Sequence, residues 1–261
     1  MTNMNEKKMD FKQSIDFVRI LIYAAIVGLG AGFLGTLFTF SVNSVTQLRL
    51  NHPWLVYFLP IGGIAIVLLY KLAKYKDAGT DLVINSIHSE PHLPVRIGPL
   101  IFISSVITHL FGGSAGREGA ALQIGGSVGS FVSKTLRLKE EDKKTLIMAG
   151  MSGCFSALFG TPLTAAILPL EVVHVGYMQY AALLPCVIAS LVGHCVAIAM
   201  NLVEPMHHIG TVPNLDAITT IAVIGLSLLA GLVSRLFVFS LHKTHHIFAK
   251  IENAYVRAIV G

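Results

Sequence analysis

Long apolar segments alternate with short polar ones along this chain. Uncharged stretches cover residues 20–48, 50–70, 97–116, 119–133 and 217–234. Between Lys144 and Glu204 the single charged residue is Glu171. Because a helix needs about 20 apolar residues to cross roughly 30 Å of hydrocarbon, the pattern predicts an all-α, polytopic membrane protein.

The apolar segments predict where the helices lie. Helices are expected over 17–46, 54–72, 80–110, 117–133, 143–158, 162–174, 178–202 and 217–248. Several of these pieces are too short or too rich in glycine for simple spans, and Gly112, Gly113 and Gly116 interrupt the chain in mid-run. Irregular backbone at that depth is tolerated where it is buried in protein or lines a watery cavity. We therefore expect tilted, broken and re-entrant helices, with segments 80–110 and 117–133 forming one excursion into the membrane.

The distribution of lysine and arginine predicts the orientation in the cell membrane. These residues cluster at the N-terminus and within 71–76, 134–144 and 243–257, whereas the loops at 51–53 and 203–216 lack them. The positive-inside rule places the four clusters in the cytoplasm and the two loops outside. We expect residues 1–16 to be a cytoplasmic N-terminal segment and residues 17–261 to be the transmembrane domain.

Composition narrows the possible functions. Hydrophobic residues make up 54% of the chain and charged residues 13%, about half of the roughly 25% usual in soluble domains. This argues against a soluble enzyme, a disordered chain and a secreted disulfide scaffold. The net charge of +5 would suit nucleic acid, but the positive charges lie in short clusters between apolar runs, so no nucleic-acid partner is predicted. Paired carboxylates, metal-ligand spacings and nucleophile–base sets are not found, which predicts neither an enzyme nor a metal or cofactor site.

Segment 112–126 carries the strongest candidate chemistry. Its glycines permit a tight turn and let an ion approach backbone N–H groups. The helix that follows offers unpaired amides and the positive end of its dipole. Glu118 lies in that first turn, where its carboxylate would itself occupy an anion site until an anion displaces it or a proton neutralises it. The alternative is a glycine-rich helix start with a locally paired Arg117 and Glu118, but ionisable groups within a membrane are costly and usually functional.

These residues resemble a known family. Residues 116–120, Gly-Arg-Glu-Gly-Ala, resemble the G-[KR]-E-G-P motif of the CLC family of chloride channels and anion/proton antiporters, and 122–126 match its continuation. The resemblance extends through 137–139 to 155–163, which is similar to the family's A-x-F-x-[AT]-P-L helix start. It implies a CLC-like fold, a homodimer, and Glu118 as the gate that competes with the anion and carries the proton. It also implies an anion cradle made by Gly79, Thr80, Gly116, Arg117, Gly119 and Ala120.

Two departures from the family pattern bear on the transported ion. The first filter motif, G-S-G-I-P, has its best match at 79–83, where Thr80 replaces the anion-contacting serine and Asp81 adds a carboxylate. Thr80 or Asp81 could instead cap a short helix, and both roles are compatible. This altered motif, together with Ala120 in place of proline, resembles the bacterial fluoride-exporting branch. Fluoride is small and strongly hydrated and needs strong donors. The resemblance thus implies fluoride export coupled to proton antiport, with a chloride channel or chloride/proton antiporter as alternatives.

Two further parts of the family pattern are altered or missing. The antiporter branch uses an inner glutamate ten residues after the proline matching Pro162. Here that position is Val172, and the neighbouring Glu171 is either a helix-end residue near the cytoplasm or part of an inner proton route. The G-x-F-x-P segment and pore tyrosine of the family's second inverted half are not found after Gly210. We expect the first inverted half plus one further helix, as a truncated transporter or as a membrane fragment with an assembly role.

Overall fold

A computed structural model describes residues 2–74, 83–84, 87, 93–173, 179–202, 214, 216–251 and 253–260, with side chains from Ile15 onward. The regular elements in these residues are helices: α1 (Thr2–Asn51), a 3-10 helix (Pro53–Phe58), α2 (Leu59–Leu72), α3 (Ile97–Leu110), α4 (Arg117–Thr135), α5 (Glu140–Phe159), α6 (Pro162–Val173), a second 3-10 helix (Tyr180–Ala182), α7 (Leu183–Ala199), α8 (Ala217–Ala249) and α9 (Ala254–Val260). They belong to two compact units, Met1–Glu204 and Pro205–Gly261.

The helical membrane architecture predicted from the apolar pattern is confirmed. Among the described residues, four helical segments are long and apolar enough to cross a membrane: Ile15–Asn51, Pro53–Leu72, Tyr180–Ala199 and Ala217–Ala249. The apolar α3 and α6 are shorter, as expected of helices that do not cross by themselves.

The first helix is longer than predicted. It was expected over 17–46, but α1 runs from Thr2 to Asn51. Neither glycine nor proline occurs between Thr2 and Val27, so nothing in the polar N-terminal sequence stops the helix. The limit of the apolar run therefore does not mark the limit of the helix, because polar residues continue it in either direction.

Helix α5 forms the centre of the first unit. It packs against α1, α4, α6 and α7, and residues 146–154 are buried without interruption. A helix that is buried all round needs neighbours on every side. The other helices of this unit are therefore arranged around α5, and α4 is held directly against it.

Small residues bring the backbones of these helices into contact. Glycine has no Cβ atom, and the space that one would need shows how close the helices lie. A Cβ atom added to Gly125 of α4 would overlap the carbonyl oxygen of Gly150 of α5. One added to Gly28 of α1 would lie 2.7 Å from the carbonyl oxygen of Ala189 of α7. Because lipid tails are as apolar as the helix surfaces, membrane helices associate largely through such close packing. The glycine content of the apolar segments thus supports the packing that positions α4.

Aromatic side chains mark the turn between α1 and α2. Trp54 packs edge-to-face against His52 and Phe58, with ring centroids 6.1 and 5.7 Å away. Trp54 and Tyr57 are 54% and 85% exposed. Tryptophan and tyrosine favour the membrane–water interface, so this turn has the composition of a segment at the membrane surface.

In the second unit, α8 begins at an aspartate cap. The backbone N–H of Thr219 donates to Oδ1 of Asp216 at 2.7 Å. This hydrogen bond lowers the pKa of Asp216, since it favours the charged carboxylate. The cap fixes the start of a helix of 33 residues that has no buried residue.

Candidate functional site

A tight turn carries the chain from α3 into α4. Gly112 has φ +80°, in the left-handed region that glycine enters without strain. The N–H of Gly113 donates to the carbonyl oxygen of Thr108 at 2.9 Å, and a Cβ atom on Gly113 would lie 2.7 Å from Cγ2 of Thr108. Glycine at both positions therefore lets the loop 111–116 fold closely over the end of α3 and present the start of α4.

Glu118 lies in the first turn of α4, and its carboxylate folds back over the start of the helix. The capping residue Gly116 is extended, with φ −71° and ψ 138°, and has no side chain to cap the helix. A Cβ atom on Gly116 would lie 3.0 Å from Oε2 of Glu118. The Glu118 side chain is exposed. The carboxyl group thus lies beside the N-terminal turn of α4, the positive end of the helix dipole.

Arg117 links this helix start to the corner between α5 and α6. Its Cζ lies 5.8 Å from the centroid of the Phe159 ring, within the range of a cation–π contact. Phe159 is the last residue of α5, and Gly160 ends that helix with φ 65°. Since α6 begins at Pro162, the contact brings the starts of α4 and α6 to the same region.

The remaining predicted cradle residues fall into two groups. Gly119 is half-buried and Ala120 is 4% exposed, so both lie on the packed side of the first turn of α4. Gly79 and Thr80 lie outside the described residues. Val83, four residues after Gly79, is buried. A Cβ atom added to Gly126 of α4 would lie 3.1 Å from Cγ1 of Val83. The last residue of the first predicted filter motif therefore packs against α4.

The structure adds Arg49, which the sequence interpretation did not single out. A Cβ atom added to Gly112 would lie 3.3 Å from Nη1 of Arg49. The guanidinium group of Arg49 therefore lies against the loop that leads to Glu118. Its Nε is buried and has no hydrogen-bond partner among the residues that the structure describes. A signal was available in the sequence, because Arg49 is a lone charge between the uncharged stretches 20–48 and 50–70.

Glu171 and Val172, the residue at the position of the family's inner glutamate, differ in environment. Glu171 is exposed near the end of α6, whereas the adjacent Val172 is partly buried and packs against the main hydrophobic core. Adjacent residues on a helix are rotated by about 100°, which accounts for the difference. An inner role for Glu171 stays a prediction.

Comparison with known proteins places the chain in a family. The model of the voltage gated chloride channel family matches residues 61–261. The chloride/fluoride channel protein of Pseudomonas syringae pv. tomato is 40% identical over 225 residues, covering 85% of this chain and 50% of that protein. The H(+)/Cl(-) exchange transporter ClcA of Vibrio cholerae is 26% identical over 234 residues, covering 84% and 49%. The chain spans about half the length of these curated relatives.

Solved structures agree with this assignment. A CLC-type fluoride/proton antiporter superposes with a TM-score of 0.89 at 28% identity, covering 94% of this chain and 63% of that chain. A slow cyanobacterial Cl−/H+ antiporter shares the fold, with a TM-score of 0.72 at 21% identity over 93% of this chain and 63% of that chain. The resemblance drawn from the residues around Glu118 is therefore confirmed, and the chain belongs to the voltage-gated chloride channel, or CLC, family.

Proposed function

We propose that this protein exports fluoride across the cell membrane in exchange for protons, with Glu118 as the gate. The observation that carries the proposal is the Glu118 carboxylate folded back over Gly116, the capping residue of α4, which has no side chain of its own. An acidic side chain in this position occupies the place where an anion would bind. Loss of that side chain's charge is therefore the event that admits an anion.

The proposed cycle follows from competition for one set of donors. The backbone amides at the start of α4 would bind either the Glu118 carboxylate or an anion, because both are negative and both accept N–H hydrogen bonds. Protonation neutralises the carboxyl group and releases it, and the anion takes its place. Departure of the anion lets the deprotonated side chain return. Gly116, Arg117, Gly119 and Ala120 would supply the cradle on α4, and Gly79 and Thr80 would complete it.

Three observations support fluoride over chloride. The residue pattern, with Ala120 in place of the family's proline, resembles the bacterial fluoride-exporting branch. The relative at 40% identity is named a chloride/fluoride channel protein. The structure with a TM-score of 0.89 is a fluoride/proton antiporter. Chloride/proton exchange is the second candidate, because relatives such as ClcA of Vibrio cholerae exchange chloride. Homodimerisation stays a prediction from the family.

The ion assignment can be measured directly in proteoliposomes. With fluoride- and chloride-selective electrodes, we expect fluoride efflux to exceed chloride efflux by about tenfold, which corresponds to about 1.4 kcal/mol of preference. A pH electrode should record proton movement in the opposite direction. Protein-free liposomes give the leak, and detergent gives the total content. Chloride efflux equal to or above fluoride efflux contradicts the fluoride assignment.

We further propose that Arg49 attracts anions to the loop 111–116. A fixed cation beside a binding site raises the local concentration of anions. Arg49→Gln is expected to lower fluoride flux about threefold at low salt, and the deficit should shrink at 0.5 M salt because the Debye length falls well below about 8 Å. Flux assays across a salt series provide the measurement. Lys139→Gln, on a loop predicted to be cytoplasmic, is the control, and a loss that does not depend on salt would indicate a purely structural role.

A further inference from the structure

Two adjoining apolar cavities form a groove between α1, α3 and α4, here called the α1–α3–α4 groove. Their volumes are about 410 and 270 Å³. Both cavities are lined by Leu34, Gly98, Pro99 and Ile124. The one hydroxyl side chain in the lining belongs to Ser127, and it donates to the carbonyl oxygen of Gln123 at 2.7 Å. Among the described lining residues, therefore, no side chain offers a free donor to a hydrated ligand, and the groove suits a hydrocarbon chain.

The groove opens on an exposed apolar face of α1. Exposed apolar residues recur along α1 at intervals of three and four, which places them on one face of the helix. They are Ile15, Val18, Ile22, Ile26, Leu29, Phe33, Leu37 and Phe40. This stripe lies within the candidate membrane span Ile15–Asn51. Phe33 and Leu37 belong both to the stripe and to the groove lining, so the opening of the groove is continuous with this exposed apolar surface of α1.

Two cations lie at one end of the groove. Val95 and Phe131 line this end, and the adjacent Arg96 is exposed at the start of α3. Lys134, less than one turn beyond Phe131, donates from Nζ to the carbonyl oxygen of Leu93 at 3.2 Å. The positive-inside prediction puts this end at the cytoplasmic surface, where anionic lipids attract lysine and arginine.

We propose that the α1–α3–α4 groove binds an acyl chain of an anionic phospholipid from the cytoplasmic leaflet, with the headgroup phosphate at Arg96 and Lys134. The apolar lining accepts the chain, and the opening toward lipid lets it enter sideways. The two cations select the charge of the headgroup. This inference is independent of which ion the protein transports.

Native mass spectrometry of the intact chain tests the charge selection. The probes are palmitoyl-oleoyl phosphatidylglycerol and the matching phosphatidylcholine, supplied in equal amounts. Wild type is expected to retain phosphatidylglycerol about tenfold more often than phosphatidylcholine, because each basic residue near the membrane surface strengthens the attraction of an anionic headgroup. The double variant Arg96→Gln, Lys134→Gln should lose that preference, and Lys139→Gln should keep it. Equal retention of the two lipids by wild type overturns the proposal.

Filling the groove tests the location of the chain. A Cβ atom on Gly30 would approach one side-chain atom, Cγ1 of Val128, at 3.2 Å, so Gly30→Leu places its side chain in the groove. The matched change Gly225→Leu meets no atom within 4 Å. Gly30→Leu is expected to reduce the retention of both lipids severalfold relative to Gly225→Leu. Retention equal to that of Gly225→Leu overturns the proposal.

Fluorescence quenching locates the chain without filling the groove. With Trp54→Phe and Phe131→Trp, the single indole lies on the groove lining. Phosphatidylglycerol brominated at mid-chain is expected to quench this indole more strongly than brominated phosphatidylcholine, and Arg96→Gln should remove the difference. Because this measurement does not depend on Gly30→Leu folding, equal quenching by the two lipids overturns the proposal by itself.

Discussion

Glu118→Gln is expected to abolish proton exchange while anion movement continues. Glutamine has nearly the same shape as glutamate but carries neither the negative charge nor a titrating proton. It can neither exclude an anion by charge nor carry a proton through the cycle. In proteoliposomes we expect anion-driven proton movement to fall by at least about tenfold, the equivalent of about 1.4 kcal/mol, with fluoride efflux still measurable by the electrode.

A second acidic residue provides the control for this prediction. Glu141 also lies in the first turn of a helix, α5, and is exposed. Unlike Glu118, it belongs to the segment 134–144, which the distribution of lysine and arginine predicts to be cytoplasmic. Glu141→Gln is expected to leave coupling unchanged. Gel filtration of both variants checks that they fold. If Glu118→Gln retains the wild-type ratio of protons to anions, Glu118 is not the gate.

Gly129→Ala is expected to destabilise the protein strongly. A Cβ atom on Gly129 of α4 would overlap the carbonyl oxygen of Leu146 in α5 and lie 2.7 Å from Cα of Ile147. Both atoms belong to the backbone of a buried helix. The rotation of a side chain therefore cannot relieve the overlap, and α4 and α5 must move apart. Overpacking of this kind costs about 3 kcal/mol, which corresponds to a loss of about 10 °C in melting temperature for a chain of this size. Thermal unfolding in detergent gives the measurement.

The same substitution elsewhere separates packing from helix propensity. Gly231 lies in α8, and a Cβ atom there meets nothing within 4 Å. Gly231→Ala is expected to leave the melting temperature unchanged or raise it slightly, because alanine favours a helix by up to about 1 kcal/mol over glycine. Equal melting temperatures for the two variants would show that the α4–α5 contact does not depend on glycine at this position. A lowered melting temperature for Gly129→Ala should be accompanied by loss of transport, since α4 carries Glu118.

The predicted helices followed from apolar run length, but their ends did not all follow from the same signal. The end of α5 agrees with Gly160 in the left-handed conformation and with Pro162 at the next helix start, both of which are local stop and start signals. The start of α1 has no such signal, and the helix extends to Thr2. The length of an apolar run indicates whether a segment can enter the membrane. The length of a helix depends instead on where a helix-breaking residue such as glycine or proline occurs.

The candidate site likewise combines contacts that the sequence predicted with contacts that it did not predict. Glu118 and its flanking glycines share one turn of chain, so their motif was sufficient to bring them together. Arg49 approaches Gly112 from another helix, and nothing in the sequence between them indicates that contact. Arg117 was interpreted as part of the anion cradle or, alternatively, as a partner of Glu118. Neither interpretation included its contact with Phe159, which depends on how α4 packs against α5.

The sequence by itself determined the membrane class, the approximate helices, the family and the glutamate at a glycine-rich helix start. These are properties of local composition and of short motifs, which contiguous residues carry. The tertiary structure alone decided which glycines meet which backbones, where Arg49 lies, and where a groove forms between α1, α3 and α4. Such contacts join residues that are distant in the chain, and they depend on the angle and depth at which helices pack, which a linear pattern does not encode.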